Sequence, residues 1–393
     1  MSEYNHFYDN VKCPVSKKCG GCQLQNMTYD NQLSWKQGRE QELLGRFGKI
    51  NKIIGMTNPL NYRNKVQSAF GMTRDKKLIS GIYQSSSRTI VNNDKCMIED
   101  KLADKIIADI KYILPELGIV PYNEFNGQGL LRHILVKRGF KTNETMVVFV
   151  GASPIFPQKK KFVSELLKIH PEINTIVFNI NEGGPAMLLG DKEQVLYGKG
   201  YIEDILCGFK FRISAKSFYQ INPKQTEVLY GTAIDYAGFT GNETVIDAYC
   251  GIGTIGLIAS KKAKEVIGVE SNHAAVKDAV VNSKINGVKN ERFICKDAGE
   301  FMLEMAEEKK NCDVVLMDPP RAGSDVKFLS SVVTLGPKKV VYISCNPETL
   351  ARDLDYLVKH NYKVEQIQPV DMFPYTNHIE TVVSLNKING NNR

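Results

Sequence analysis

The sequence predicts an α/β protein. Its C-terminal half reads as a doubly wound, mostly parallel, seven-stranded sheet. An α+β central domain and a short N-terminal cysteine segment precede it. Three observations carry this. From about residue 216 strand-like and helix-like patterns alternate. From about 52 to 213 the pattern is β-rich. The first 22 residues are polar and hold three cysteines.

Residues from about Asn26 to Phe47 mix apolar and charged positions at helical spacing. In the central part, 65–70, 78–83, 132–136, 145–150 and 174–179 read as strands, with helices at about 98–115 and 157–169. The C-terminal strands are 243–248, 265–270, 291–296, 312–318, 338–344, 362–370 and 379–386. Helices fall at about 254–262, 272–285, 298–308, 325–334 and 347–359. No helix separates the last two strands, so they should pair antiparallel. The expected domains are therefore 1–50, 51–215 and 216–393.

The 393 residues are 42% hydrophobic and 24% charged, ordinary for a soluble chain. No apolar run reaches a membrane span and no signal peptide opens the chain, so a cytoplasmic protein without membrane contact is expected. A formal charge of +8 leans toward an anionic partner such as nucleic acid. Nine cysteines in such a chain point to metal or catalytic roles rather than disulfides. A monomer is expected.

Chemistry-bearing residues collect at the predicted carboxyl ends of the C-terminal strands, where open α/β sheets bind ligands. Gly251-Ile252-Gly253 forms a turn between a strand and a helix, with Asp247 and Tyr249 before it and Thr254 after it. Such a turn lets a ligand approach the backbone. Glu270 ends the next strand and can accept both hydroxyls of a ribose. Asp297 follows the third strand, where it could meet an adenine amine. Asp318-Pro319-Pro320-Arg321 closes the fourth, its prolines fixing the loop. Ser344-Cys345-Asn346-Pro347 closes the fifth, and Glu380 begins the last. A thiolate at Cys345 could add to C6 of a pyrimidine and make C5 nucleophilic. Glu380 could remove the C5 proton as general base.

This series resembles the class I S-adenosylmethionine-dependent methyltransferases, whose sheet is Rossmann-like. The Asp318–Arg321 loop, the Cys345 motif, His378-Ile379-Glu380-Thr381-Val382 and Phe218-Tyr219-Gln220-Ile221-Asn222 resemble motifs of the RNA uracil-C5 methyltransferase family. The resemblance covers nearly the whole chain. It implies S-adenosyl-L-methionine as cofactor, held by Gln220, Tyr249, Gly251, Gly253, Thr254, Glu270, Asp297 and Asp318. It makes Cys345 and Glu380 the catalytic pair. Gln220 would also touch the target base and Phe218 would stack on it. Cytosine-C5 enzymes carry a second cysteine in the Asp318 loop, which this chain lacks.

Cys13, Cys19 and Cys22, with the distant Cys96, suit a four-thiolate site for zinc or an iron–sulfur cluster, and spacing does not choose. The resemblance does: a subgroup acting on 23S ribosomal RNA carries this pattern with a [4Fe-4S] cluster. By that analogy 23S rRNA is favoured over transfer RNA. The small N-terminal β-barrel of many members is not expected here, since the cysteine motif starts at Cys13. Expected RNA-backbone contacts are Arg63, Lys65, Arg88, Arg132, Lys137 and Arg138, with Arg132 and Lys137 flanking the best strand.

Overall fold

The structure, a computed structural model, describes residues 12–84, 87, 89–183 and 187–388. Arg88 lies outside the described residues.

The N-terminal segment holds α1 (Ser16–Cys19) and α2 (Tyr29–Leu44). Thr28 caps α2 by accepting from Asn31 N at 3.4 Å. The central sheet contains β1 (Lys65–Met72), β2 (Leu78–Tyr83), β3 (Ile90–Asn92), β4 (Leu131–Arg138), β5 (Thr145–Gly151), β6 (Thr175–Ile180) and β7 (Lys192–Tyr197). Their spatial order is β3-β2-β1-β4-β5-β6-β7, antiparallel except for β5 and β6. Helices α3 (Lys101–Glu116) and α4 (Lys159–Ile169) cover one face, where Phe149, Phe156, Phe162 and Phe178 interlock. A hairpin of β8 (Tyr201–Leu206) and β9 (Phe209–Ser214) follows.

Helix α5 (Pro223–Ala237) then leads into the second large sheet. Its Asn222 cap and Pro223 at the first turn are ordinary start signals. Strand and helix then alternate: β10 (Thr244–Ala248), α6 (Thr254–Ser260), β11 (Glu265–Glu270), α7 (His273–Ile285), β12 (Glu291–Cys295), α8 (Ala298–Glu307), β13 (Val314–Met317), α9 (Val326–Leu335), β14 (Lys339–Ser344), α10 (Pro347–Lys359), β15 (Tyr362–Val370) and β16 (Glu380–Lys387). The order is β12-β11-β10-β13-β14-β16-β15. Pairing is parallel from β12 through β14, and β16 is antiparallel to both β14 and β15. The buried strands are apolar runs, as both faces are covered by helices.

The two sheets share a core. Val148 and Val177 of the central sheet, Ile202 and Phe211 of the hairpin, Leu229 of α5 and Val341 of β14 belong to one buried cluster. The N-terminal segment packs on the C-terminal sheet: Ile50 and Ile54 bridge Ile367 and Val370 of β15. Among the described residues no helix is long and apolar enough to cross a membrane.

Helix α2 buries a polar stripe. Tyr29, Gln32, Lys36 and Glu40 are all inaccessible. Lys36 Nζ lies 2.6 Å from Asp371 Oδ1, and both side chains are fully buried. Removing one partner of such a pair strands the other charge. Lys36→Met should therefore lower stability in urea unfolding by about 3–5 kcal/mol. Arg46→Ala, which breaks a half-exposed pair with Asp355, should cost less than about 1 kcal/mol in the same measurement.

Candidate active site

Register builds the site. Ser344 of β14 pairs with Thr381 of β16. The strands are antiparallel, so the residue after Ser344 and the residue before Thr381 emerge side by side. These are Cys345 and Glu380. Met317 pairs with Ala248 and with Tyr342, which brings Asp318 and Tyr249 to the same carboxyl edge. Ala248 pairs with Val269, which adds Glu270.

The Cys345 turn is fixed by its neighbours. Ser344 Oγ donates to Asn346 O at 3.0 Å and accepts from Asn346 N at 3.2 Å. Asn346 caps α10, accepting from Glu348 N at 3.1 Å, and its amide donates to Arg321 O at 3.2 Å. The thiol thus sits at the positive end of a helix, locked to the Asp318–Arg321 loop. It lines a cavity of about 750 Å³ with Arg321, Asn346 and His378. Arg321 Nη2 lies 2.8 Å from Nε2 of His378.

The edge is acid-rich and buried. Burial, then Glu380 and Asp318, push the Cys345 thiol up to about 11, with Arg321 opposing. Glu380 is 3% exposed, and burial with nearby Asp318 holds its carboxyl well above the usual range. Desolvation alone raises Asp318 to about 7. Tyr230 of α5 is buried among these acids, and its hydroxyl pairs with the Gln220 side chain. Tyr230 escaped the sequence reading. The Asn222-Pro223 helix start was the signal that would have found its helix.

The glycine turn is equally constrained. Gly251 and Gly253 have φ of 56° and 81°, left-handed values that favour glycine. Gly253 precedes Thr254, the first residue of α6. Gly251 N donates to Glu270 Oε2 at 3.2 Å, while Glu270 Oε1 accepts from Asn272 N at 2.7 Å. Asp247 is buried and accepts from Gly256 N at 2.8 Å, tying β10 to α6. Burial raises it to about 7. Tyr249 packs on Phe328 with ring centroids 4.9 Å apart, and burial raises its hydroxyl to about 12. Asp297 is exposed and caps α8 through Glu300 N at 3.0 Å. Phe218 is 66% exposed.

Arg132 and Lys137 correct the sequence expectation that they face RNA. Both are buried. Arg132 pairs with Glu124, donates to Gly183 O at 3.1 Å and stacks over Tyr122. Lys137 donates to Ser214 O at 2.8 Å and Ser217 O at 2.9 Å, and burial lowers it to about 7. These two cations fasten the central sheet to its surroundings.

Cys19, Cys22 and Cys96 line a second cavity, of about 280 Å³. Burial, then the neighbouring Cys19 and Cys13, push the Cys22 thiol up to about 12. Cys96 N donates to Asp104 Oδ2 at 2.8 Å. Among the described residues no group of three or more His, Cys, Asp or Glu side chains is arranged to hold a metal ion.

Known proteins resemble this chain along its length. A model of the family described as tRNA (Uracil-5-)-methyltransferase matches residues 187–388. A protein of Halalkalibacterium halodurans named an uncharacterized RNA methyltransferase is 46% identical over 378 residues, 95% of this chain and 82% of that protein. A namesake from Caldanaerobacter subterraneus subsp. tengcongensis is 44% identical over 383 residues, 96% of this chain and 84% of its own. The crystal structure of Pyrococcus abyssi tRNA (uracil-54, C5)-methyltransferase with S-adenosyl-L-homocysteine superposes with a TM-score of 0.78 at 28% identity, covering 96% of this chain and 87% of that one. With the strand-edge thiol and acids in place, these similarities assign the chain to the tRNA (uracil-5-)-methyltransferase family, S-adenosylmethionine-dependent enzymes that methylate RNA.

Proposed function

We propose that this enzyme methylates C5 of a specific uridine, with Cys345 as nucleophile at C6 and Glu380 as the base at C5. The observation that carries this is the Ser344–Thr381 register, which sets the thiol beside the buried carboxyl. A thiolate added at C6 pushes electron density to C5. Once C5 carries the methyl, loss of its proton to Glu380 lets the sulfur leave. The target base must be unstacked to reach Cys345. Phe218, exposed near Gln220, can stack on it.

The residues fit S-adenosylmethionine. Gly251 leaves the turn open to close approach, Gly253, packed against Phe293 and Ala279, and Thr254 carry it into α6, and Glu270 stands beside it as a hydroxyl acceptor. Tyr249, Asp297, Asp318 and Gln220 complete the proposed cofactor contacts. When bound, the cofactor supplies the methyl carbon and a positive sulfonium among acids whose ionisation burial disfavours. A nearby cation favours the carboxylate of Glu380 and the thiolate of Cys345.

The thiols of Cys13, Cys19, Cys22 and Cys96 fit a [4Fe-4S] cluster by donor chemistry: four soft thiolates, three of them around one cavity. Its role there is structural. The cysteine pattern favours 23S rRNA as substrate. Transfer RNA is the second reading, supported by the name of the Pyrococcus abyssi neighbour. Mapping 5-methyluridine in both RNAs, from cells with and without the gene, separates them. A site lost from 23S rRNA supports the first, and one lost from tRNA the second.

With RNA tritiated at uracil C5, the enzyme should release tritium to water, and Cys345→Ala should abolish it. Glu380→Gln should accumulate a covalent RNA adduct on denaturing gels. Because the Cys345 thiol sits near 11, its alkylation by iodoacetamide should accelerate about tenfold per unit from pH 7 to 10, followed by peptide mass spectrometry. Glu380→Gln removes a carboxyl whose ionised form opposes the thiolate, and should shift that profile to lower pH. Anaerobically purified protein should carry about four irons per chain. Cys96→Ser should lose them along with the absorbance near the visible range.

A further inference from the structure

The nucleophile's cavity has a second wall that bond-making does not use. That wall is α2. Trp35, Gly38, Arg39 and Glu42 line it at i, i+3, i+4 and i+7, one face of the helix. The buried stripe from Tyr29 to Glu40 fixes the helix, so this face cannot turn away.

Each residue has a feature that packing does not explain. Trp35 remains 39% exposed. Gly38 sits inside a 16-residue helix, where glycine lowers stability relative to alanine. A Cβ there would meet nothing within 4 Å, so no neighbour demands glycine. The bare backbone opens onto the cavity. Arg39 bridges Glu42 at 2.9 Å and Glu348 at 2.5 Å on the surface. Exposed pairs of this kind contribute little, so a phosphate can replace a carboxylate. The volume of about 750 Å³ suits a ligand of nucleotide size or larger.

We propose that the Trp35–Gly38–Arg39 face of α2 is a subsite for an RNA nucleotide beside the target uridine. The base stacks on Trp35, the ribose lies over Gly38 and the phosphate meets Arg39. Extruding the target leaves its neighbour without a stacking partner, and an aromatic platform restores one. The inference rests on the RNA-methyltransferase reading.

Trp35 is the chain's sole tryptophan, so its emission reports this face alone. The purified enzyme is titrated with unmodified 23S rRNA transcript or bulk tRNA, whichever the wild type methylates. RNA should quench the emission. Trp35→Ala should raise KM for RNA by about tenfold, well beyond any change in kcat, and Trp35→Phe should recover most of it. Gly38→Leu should melt no lower than wild type yet raise KM similarly. Affinity for S-adenosylhomocysteine, by calorimetry, should match wild type in all three. Unchanged emission, or unchanged KM in both Trp35→Ala and Gly38→Leu, overturns the subsite while leaving the methyltransferase reading intact. A wild type that binds S-adenosylhomocysteine but methylates neither RNA overturns the reading, and the subsite with it.

Discussion

Asp371 ties the two ends of the chain together. Its carboxylate accepts from Tyr29 Oη at 2.7 Å and Lys36 Nζ at 2.6 Å. Its backbone N donates to Ile54 O at 2.9 Å, and its carbonyl accepts from Gln225 Nε2 at 3.0 Å. One residue thus joins α2, the strand-like segment at 54, α5 and the loop between β15 and β16. That loop ends at Glu380. Lys36 also donates to Phe373 O at 3.1 Å, and Gln32 Oε1 accepts from Tyr375 N at 2.7 Å. Thr381 donates to Glu40 at 3.0 Å. The proposed base is therefore held through its loop by a helix more than three hundred residues earlier. Buried hydrogen-bond networks of this kind constrain what they touch.

That constraint matters because the edge it supports crowds buried ionisable groups together. Asp247, Asp318, Glu380 and Cys345 crowd the strand ends, and Arg321 opposes the upward shift at Glu380 and Cys345. Burial raises all four, so each group resists giving up its proton. Such a site is tuned to receive positive charge, since a cation shifts each group toward its ionised form. Two of those ionised forms are the ones the proposed chemistry needs.

The C-terminal sheet was legible in the sequence because its strands are buried on both faces and read as apolar runs between glycine and proline turns. The edge motifs were legible for the same reason: they sit where those runs stop. Other parts were not. β7 is exposed along nearly its whole length, so Lys192–Tyr197 gives no alternation to find. The β8–β9 hairpin does alternate, but the sequence reading placed no strand after 179 in the central region. Arg132 and Lys137 looked like a surface patch because basic residues in strands are usually solvated. Here a carboxylate, an aromatic ring and main-chain carbonyls hold them inside. Helix α2 was found, yet its importance was invisible, since its buried face is polar and its exposed face carries the tryptophan.

The position of the cysteines acquires a mechanical meaning from the same loop. Gln23 and Leu24 follow Cys22 directly. Leu24 N donates to Tyr375 O at 2.9 Å, and Asn377 N donates to Gln23 Oε1 at 3.3 Å. On the other side, Asn61 N and Arg63 N donate to Met97 O and Ile98 O, next to Cys96. Arg63 is two residues from β1 of the central sheet. A group bridging Cys22 to Cys96 would therefore join the loop that precedes Glu380 to the central sheet. Its loss would loosen the placement of the base without altering any reacting atom. A structural cluster predicts that pattern: methyl transfer that weakens with cluster loss while the thiol and the cofactor turn stay intact. A redox role would instead require an electron path into a reaction that neither gains nor loses electrons.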